Sequence, residues 1–471
     1  MASVDSTVEA EAPAATAATR PGREGSVPRV PLTKPLQTAR FLVRPIPFME
    51  RWRRALGETF GVSVYGPGEL VFISDPPSLK ALFAADRSNT IAPGRNIILR
   101  PLLGRGSLLL QEGEEHLRRR KLMLPPFHGA RMRAYEAVIA EATERAIAGW
   151  PRDRELALHP SMQAITLEVI LRAVFGVEDA ERRRELRDGL VEILGATASP
   201  AAVGFITPAT RRLPMYRRLN ELRERTDEAL FAEIAERRRD PEAGSRDDIL
   251  SMLVSARFED GSAMDDGELR DQLMTLLLAG HETTATGLAW AFDLLLHRPD
   301  ALARLLAEIE TGEREYLEAV VNESLRVRPV VPFTGRELRA GAELGGYELA
   351  AGTVVMAAIY LAHTRADLYP EPYAFRPERF LGDDAPETFA WIPFGGGTRR
   401  CIGAAFAQFE MRVVIETVLR SVELRAASPA LDRPVRRNVT LSPANGTRAV
   451  VTGRHQLIRS SLASTSGTCA R

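Results

Sequence analysis

Residues 264–297 read MDDGELRDQLMTLLLAGHETTATGLAWAFDLLLH. The spacing predicts one long helix, and its middle is apolar on nearly every face. Such a helix has no face to give to water. It must run through a core with other elements packed around it, which favours a large, mainly α architecture. It is not a membrane span, because no run of about 18 apolar residues occurs anywhere in the chain.

The flanking sequence agrees. From about residue 112 to 330 the periodicity is overwhelmingly helical. GEEHLRRRKLML ends at Pro125-Pro126, RMRAYEAVIAEATERAIAGW and LEVILRAVFGV are apolar at helical spacing, LNELRERTDEALFAEIAERRRD is long and amphipathic, and EREYLEAVVNESLRVRP stops at Pro329. A last buried helix is expected from about Ile402 to Leu419. β signals are few: a hairpin around Gly66-Pro67-Gly68, with a helix opening after Asp75-Pro76-Pro77, and short strands around GYELAAGTVVMAAI. No repeat or linker divides the interior. The expected fold class is mainly α with a minor β region (α+β), as one domain over 27–455. The tails 1–26 and 456–471 are small, polar and expected to be disordered.

Composition narrows function by exclusion. The 471 residues carry 62 Lys+Arg and 62 Asp+Glu, so net charge gives no global pull toward nucleic acid or an anionic membrane. Two cysteines, Cys401 and Cys469, cannot staple a secreted scaffold. No secretory signal or membrane anchor is read, so a cytoplasmic monomer is expected.

One of those cysteines sits in PFGGGTRRCIG, residues 393–403. Three consecutive glycines let backbone approach a neighbour closely. Cys401 opens an apolar helix, whose N-terminus, with Arg399 and Arg400, favours a thiolate. No second Cys or His lies at zinc spacing. A lone thiolate suits haem iron; an arbitrary lone cysteine would be a small buried hydrophobe. Phe394, Gly397, Arg399, Cys401 and Gly403 resemble the ligand loop of the cytochrome P-450 superfamily at every diagnostic position. The resemblance extends from about residue 30 to 455. It implies haem b (iron protoporphyrin IX), lying between the long central helix and the cysteine loop. Cys401 would be its proximal ligand, with Phe394 near the sulfur, the glycines permitting close approach and Arg399 on a propionate.

AGHETT, residues 279–284, puts Glu282 and Thr283 inside the apolar helix, where polar groups are costly unless satisfied or functional. Thr283 could bond back to a carbonyl one turn earlier and Glu282 could pair with an Arg. The segment is similar to the family's oxygen-activating motif. That resemblance makes Glu282 and Thr283 a proton relay at dioxygen, with the helix opened around Ala279 and Gly280. Positioned proton transfer is typically worth about 10²–10⁴-fold. His281 is read as packing, not as a ligand.

Glu323 and Arg326 in NESLR share a helix face. They resemble the family's ExxR signature, and Arg379 in RPERF resembles its third partner. The implied role is a buried ionic cluster on the proximal side, holding the cysteine loop. His116 and Arg120, four apart, read by themselves as a solvated face of the RRRK helix. The resemblance places both, and Arg336 before a short strand, on haem propionates.

No reductase module is left in the chain. The resemblance therefore implies a separate ferredoxin-type donor with its own reductase, docking near Arg118, Arg119, Lys121, Arg131, Arg133 and Arg400. Pocket walls are expected from residues 97–110, 196–206, 276–279, 330–334 and 442–445. Ile97, Leu276, Val331, Phe333 and Pro443 are the named lining, suited to a lipophilic fatty acyl, terpenoid or polyketide-like substrate. The 297–315 stretch is short for the family and should be a shortened surface connection. The implied reaction inserts one atom of O2, by hydroxylation or epoxidation. The alternatives are a peroxide-driven haem hydroxylase, which usually carries Arg-Pro in place of the acid–alcohol pair, and a haem-based sensor or lipophile-binding protein.

Overall fold

A computed structural model describes residues 26–455 except 67, 92–99, 128–130, 178, 198–213, 383–384 and 438. The helices are α1 (Lys34–Val43), α2 (Pro45–Leu56), α3 (Pro76–Ala84), α4 (Arg100–Leu103), α5 (Gly113–Met123), α6 (Arg131–Ala148), α7 (Leu158–Val169), α8 (Ala180–Thr197), α9 (Pro214–Arg239), α10 (Ile249–Ser255), α11 (Asp266–Leu296), α12 (Pro299–Thr311), α13 (Glu315–Val327), α14 (Ile359–His363) and α15 (Ala404–Ser421). The strands are β1 (Thr59–Val64), β2 (Gly68–Ile73), β3 (Thr90–Ile91), β4 (Glu155–Ala157), β5 (Thr334–Leu338), β6 (Ala342–Leu344), β7 (Tyr347–Leu349), β8 (Val354–Ala357), β9 (Val422–Ala426), β10 (Pro434–Arg437), β11 (Thr440–Pro443) and β12 (Arg448–Arg454).

The central helix is α11. Asp265 caps it, accepting from the Glu268 N–H at 2.7 Å while Glu268 accepts from the Asp265 N–H at 3.2 Å. Leu269, Leu273, Leu277, Leu288 and Leu295 are fully buried. Burying each such side chain contributes about 1.5–3 kcal/mol. His297 stops the helix by bonding its ring to the Asp293 carbonyl at 2.7 Å, and Pro299 starts α12. The α6, α7, α13 and α15 helices share the core cluster that surrounds α11.

The main sheet has the order β1-β2-β8-β5-β3. The predicted hairpin is there, with Val64 opposite Gly68 and Val62 opposite Leu70. Asp75 caps α3 through the Ser78 N–H at 2.8 Å. A second core gathers Phe41, Phe48, Trp52, Phe60 and Phe72 between the N-terminal helices and this sheet. Two elements correct the sequence reading. The 297–315 stretch is mostly helix α12, whose apolar positions Ala301, Leu305 and Ile309 are buried. Arg336 lies within β5, not before it. Ile97, residues 198–206 and Cys469 fall outside the described residues.

Candidate active site

The cysteine loop is shaped by glycine at two points. Gly395 and Gly397 have φ of 68° and 69°, which favours glycine. A Cβ on Gly397 would lie 2.1 Å from Asp86 Oδ2, and one on Gly396 2.5 Å from the Phe83 ring. The loop is thus pressed onto α3 and the turn after it. The Cys401 N–H donates to the Phe394 carbonyl at 3.0 Å, closing the loop, and Phe394 packs edge-on to Trp391. A Cβ on Gly403 would touch nothing, so this glycine is not there for close packing. Its N–H is aimed at the sulfur.

Burial pushes the Cys401 thiol up; the Gly403 N–H, Arg120 and Arg400 pull the other way. This corrects the sequence reading in two respects. Burial outweighs the helix N-terminus, and Arg399 does not act on the sulfur. Its guanidinium donates to the Gln111 carbonyl at 2.6 Å, while Arg120 takes the place beside the thiol. By surface area Cys401 is exposed, yet protein encloses it closely enough for burial to dominate its chemistry. A side chain both enclosed and accessible faces an internal space, not the protein surface.

His116, Arg120, Arg336 and Arg399 come together from three chain segments. His116 is buried, and burial followed by the charges of Arg399, Arg120 and Arg336 lowers its pKa to about 4, with Asp86 opposing. It is therefore neutral at pH 7. Burial also lowers the pKa of Arg120 and of Arg399. Arg336 is already engaged. It clasps Asp86 at 2.6 and 3.2 Å and donates to the Gly396 carbonyl at 3.2 Å, where the sequence reading left it free for a propionate. Sequence reasoning missed Asp86, which also accepts from Thr90 and fills the space beside Gly397.

On α11, Ala279 is exposed although residues 272–277 and 284–295 are buried. Thr283 donates to the Ala279 carbonyl at 2.6 Å. The helix continues as regular α through Gly280, where a Cβ would come within 3.3 Å of Ile170. The expected opening there is replaced by a close helix contact. Glu282 accepts from Gln163 at 2.6 Å, and burial raises its pKa against the opposing pulls of Gln163, Arg437 and Thr286. His281 is buried and bonded to Thr166 at 3.0 Å, which fits the packing role read for it. His159 and Gln163 were missed. Their spacing of four on a helix facing α11 was the available signal.

Glu323 and Arg326 form a fully buried bidentate pair at 2.6 and 2.7 Å. Arg379 approaches Glu323 at 3.4 Å and donates to the carbonyls of Pro370 and Glu371. Arg326 further donates to the carbonyls of His363, Pro372 and Ala374. The cluster therefore holds the 363–376 segment directly. It reaches the cysteine loop through His363, whose Nε2 accepts from the Ile392 N–H at 2.9 Å.

The pocket reading is only partly assembled. Leu276 lies in the core, Val331 is half-buried, and Pro443 pairs with Pro434 in the β10–β11 hairpin. Phe333 is stacked on Phe41 at 5.4 Å and edge-on to Phe72 at 5.8 Å, which commits it to the second core instead of a pocket wall. The basic run is likewise less open than its sequence suggests. Arg118 pairs with Asp260, Arg119 with Glu115 and Glu268, and Lys121 with Glu259. Arg133 and Arg400 remain exposed; for Arg131 only the backbone is described.

These residues fit a haem. Half-buried Arg120 and Arg399 and buried Arg336 converge on His116, a charge suited to propionates, and an enclosed thiol faces an accessible space. The comparisons point the same way. The family model "Cytochrome P450" matches residues 28–446. A Mycobacterium bovis protein that provisionally carries the name cytochrome P450 135B1 is 41% identical over 449 residues, 94% of this chain and 95% of that one. A Mycobacterium tuberculosis protein, provisionally cytochrome P450 137, is 42% identical over 407 residues, 85% and 84% of the two chains. Among solved structures, the retinoic acid-bound cyanobacterial CYP120A1 superposes with a TM-score of 0.80 at 26% identity, covering 91% of this chain and all of that one. The haem domain of cytochrome P450DA has the same TM-score at 22% identity, covering 91% and 98%, and shows the fold alone.

Proposed function

Since the chain belongs to the cytochrome P450 family and is a haem b monooxygenase, we propose that residues 27–455 act as one catalytic domain with Cys401 as the iron ligand. When bound, the haem supplies dioxygen activation, which a thiolate ligand promotes. The observation that carries the assignment is the Cys401 sulfur, enclosed by protein, with the Gly403 N–H aimed at it and the charges of Arg120 and Arg400 nearby. Those groups stabilise negative charge on sulfur and, by the same physics, moderate how much of it reaches the metal.

His116, Arg120 and Arg399 hold the propionates, while Arg336, clasped by Asp86, closes the cradle behind them. The neutral imidazole of His116 gives a hydrogen bond without adding to an already cationic site. Glu282 and Thr283 move protons on the opposite side. Burial raises the Glu282 pKa, so it holds a proton more readily than an ordinary carboxylate, and Thr283 can turn its hydroxyl away from the Ala279 carbonyl to pass one on.

Electrons come from a redox partner, which we take to be a ferredoxin with a separate reductase. Arg133 and Arg400 are the exposed cations for its acidic surface. The substrate is lipophilic, and a fatty acyl, terpenoid or polyketide-like compound fits best. The cyanobacterial neighbour's retinoic acid, an apolar chain with one polar end, is of that chemistry. No helix among the described residues is long and apolar enough to cross a membrane; a cytoplasmic location is part of the proposal. The decisive test is optical. Reduced protein under carbon monoxide should show the red-shifted Soret band of thiolate-ligated haem, and a folded haem protein without that band overturns the assignment of Cys401.

A further inference from the structure

A polar seam crosses the contact between α7 and α11, beside the Thr166–His281 bond. On α7 it presents His159 and Gln163, four apart; on α11, Glu282 and Thr286, also four apart. Gln163 donates to Glu282 at 2.6 Å. Thr286 reaches Glu282 Oε1 at 3.5 Å, and the His159 Nε2 stands 3.2 Å from Thr286 and 3.6 Å from Glu282. Thr286 does not end the line. Its hydroxyl is 3.3 Å from that of Ser442 on β11, which is 3.4 Å from that of Thr440. Thr440 borders the turn that follows β10, where Arg437 and Val439 are exposed. His159, Thr286 and Ser442 are essentially inaccessible to solvent, so the line of hydroxyls that runs from that turn to Glu282, whose side chain is about a quarter exposed, is itself shielded from bulk water.

Fully buried hydroxyls and imidazoles are costly unless each finds a partner. Here the partners form a line and not a closed knot. We propose that His159, Thr286 and Ser442 position Glu282 and resupply it with protons from the β10–β11 hairpin. The inference rests on Glu282 being the acid of the active site.

The step balances as a concerted shift. Glu282 gives up its proton on the Thr283 side and is left as a carboxylate. Thr286 then passes its hydroxyl proton to Glu282 Oε1 and takes one from Ser442, which takes one from Thr440, which takes one from water at the turn. One proton enters and one leaves, and every hydroxyl is restored. Thr440, which otherwise donates to the Arg437 carbonyl, must turn toward Ser442 for the shift. His159, with its proton on Nε2, fixes the Thr286 hydroxyl to point at the acid. The charged or titratable groups facing Glu282 are His159 from α7, His281 on its own helix and Arg437 from β10. Both imidazoles are held neutral by burial, so neither competes for the proton at pH 7.

The test uses the full haem-loaded protein, with the carbon monoxide band as folding control. The infrared band of the protonated Glu282 carboxyl is identified by its loss in Glu282→Gln. Thr286→Val should move that band to higher frequency, and Thr286→Ser should restore it. With a surrogate ferredoxin and its reductase, NAD(P)H-driven dioxygen uptake should fall about 10²-fold in Glu282→Gln and roughly tenfold in Thr286→Val and Ser442→Ala, with an enlarged solvent deuterium effect in the latter two. Wild-type uptake and isotope effect in Thr286→Val and Ser442→Ala, beside a slow Glu282→Gln, would sink the seam and leave the acid in place. Wild-type uptake in Glu282→Gln would remove the acid itself.

Discussion

The two sides of the proposed haem site are held by opposite means. On the cysteine side, charge is locked. Arg326 spends its donors on Glu323 and on the carbonyls of His363, Pro372 and Ala374, and Arg336 is clasped by Asp86. On the α11 side the polar groups are hydroxyls, two neutral imidazoles and an acid whose pKa burial raises. Saturated ion pairs fix backbone. Neutral hydroxyls at 3.3–3.5 Å keep their protons free to change partners. Rigidity where a ligand must be held and loose hydrogen bonding where protons must move is the division expected of a site that does both.

The sharpest break would come from Cys401→Ala. It should abolish the thiolate signature while leaving the fold intact, since the sulfur itself holds no other element together. Next in size is Arg326→Ala, which strands the fully buried Glu323 and should cost about 3–5 kcal/mol in urea unfolding, with loss of bound haem. Arg326→Lys should not rescue it, because an ammonium cannot span Glu323 and three carbonyls.

Acid should come third. The pKa values of His159 and His281 are lowered to about 4, and that of His363 to about 3, from an ordinary 6.5. The unfolded chain therefore binds more protons than the folded one between those values. The stability these three imidazoles contribute is full above about pH 6.5 and is lost as pH falls toward 4. Unfolding midpoints across that range should fall, and less steeply in His159→Phe. Flat midpoints would mean the imidazoles are not buried as described.

Gly397→Ala should cost about 1–3 kcal/mol and weaken haem retention, because φ is 69° and its Cβ would meet Asp86. The smallest effect is expected at the surface. Arg400→Glu should slow reduction by ferredoxin several-fold at low salt and hardly at all at high salt, whereas Arg118→Ala, already paired with Asp260, should barely matter. Equal effects of the two changes would restore the open basic face that the RRRK run suggests.

Much of this was legible in the chain. The central helix, the β1–β2 hairpin, the shared face of Glu323 and Arg326 and the position of Cys401 at a helix start all follow from local spacing. The early helices α1 and α2 and helix α12 did not, because their apolar stripes are narrow and rest on Pro and Arg contexts that read as connections. Site residues that depend on another element were also hidden. Nothing local marks Asp86 as the partner of Arg336, 250 positions away, or Ser442 as a neighbour of Thr286.

The sequence by itself determined the central and most later helices, the cysteine loop and the family, because periodicity and short motifs act over a few residues. Only the tertiary structure decided which charges are spent. It paired Arg118 and Lys121 with Asp260 and Glu259 ahead of the central helix and Arg119 with Glu115 and Glu268, gave Arg336 to Asp86, put Arg120 beside the sulfur and stacked Phe333 against aromatics. The physical reason is range. A helix is set by neighbours three and four residues apart, whereas the chemistry of a charge or a thiol is set by whatever the fold brings within a few ångströms.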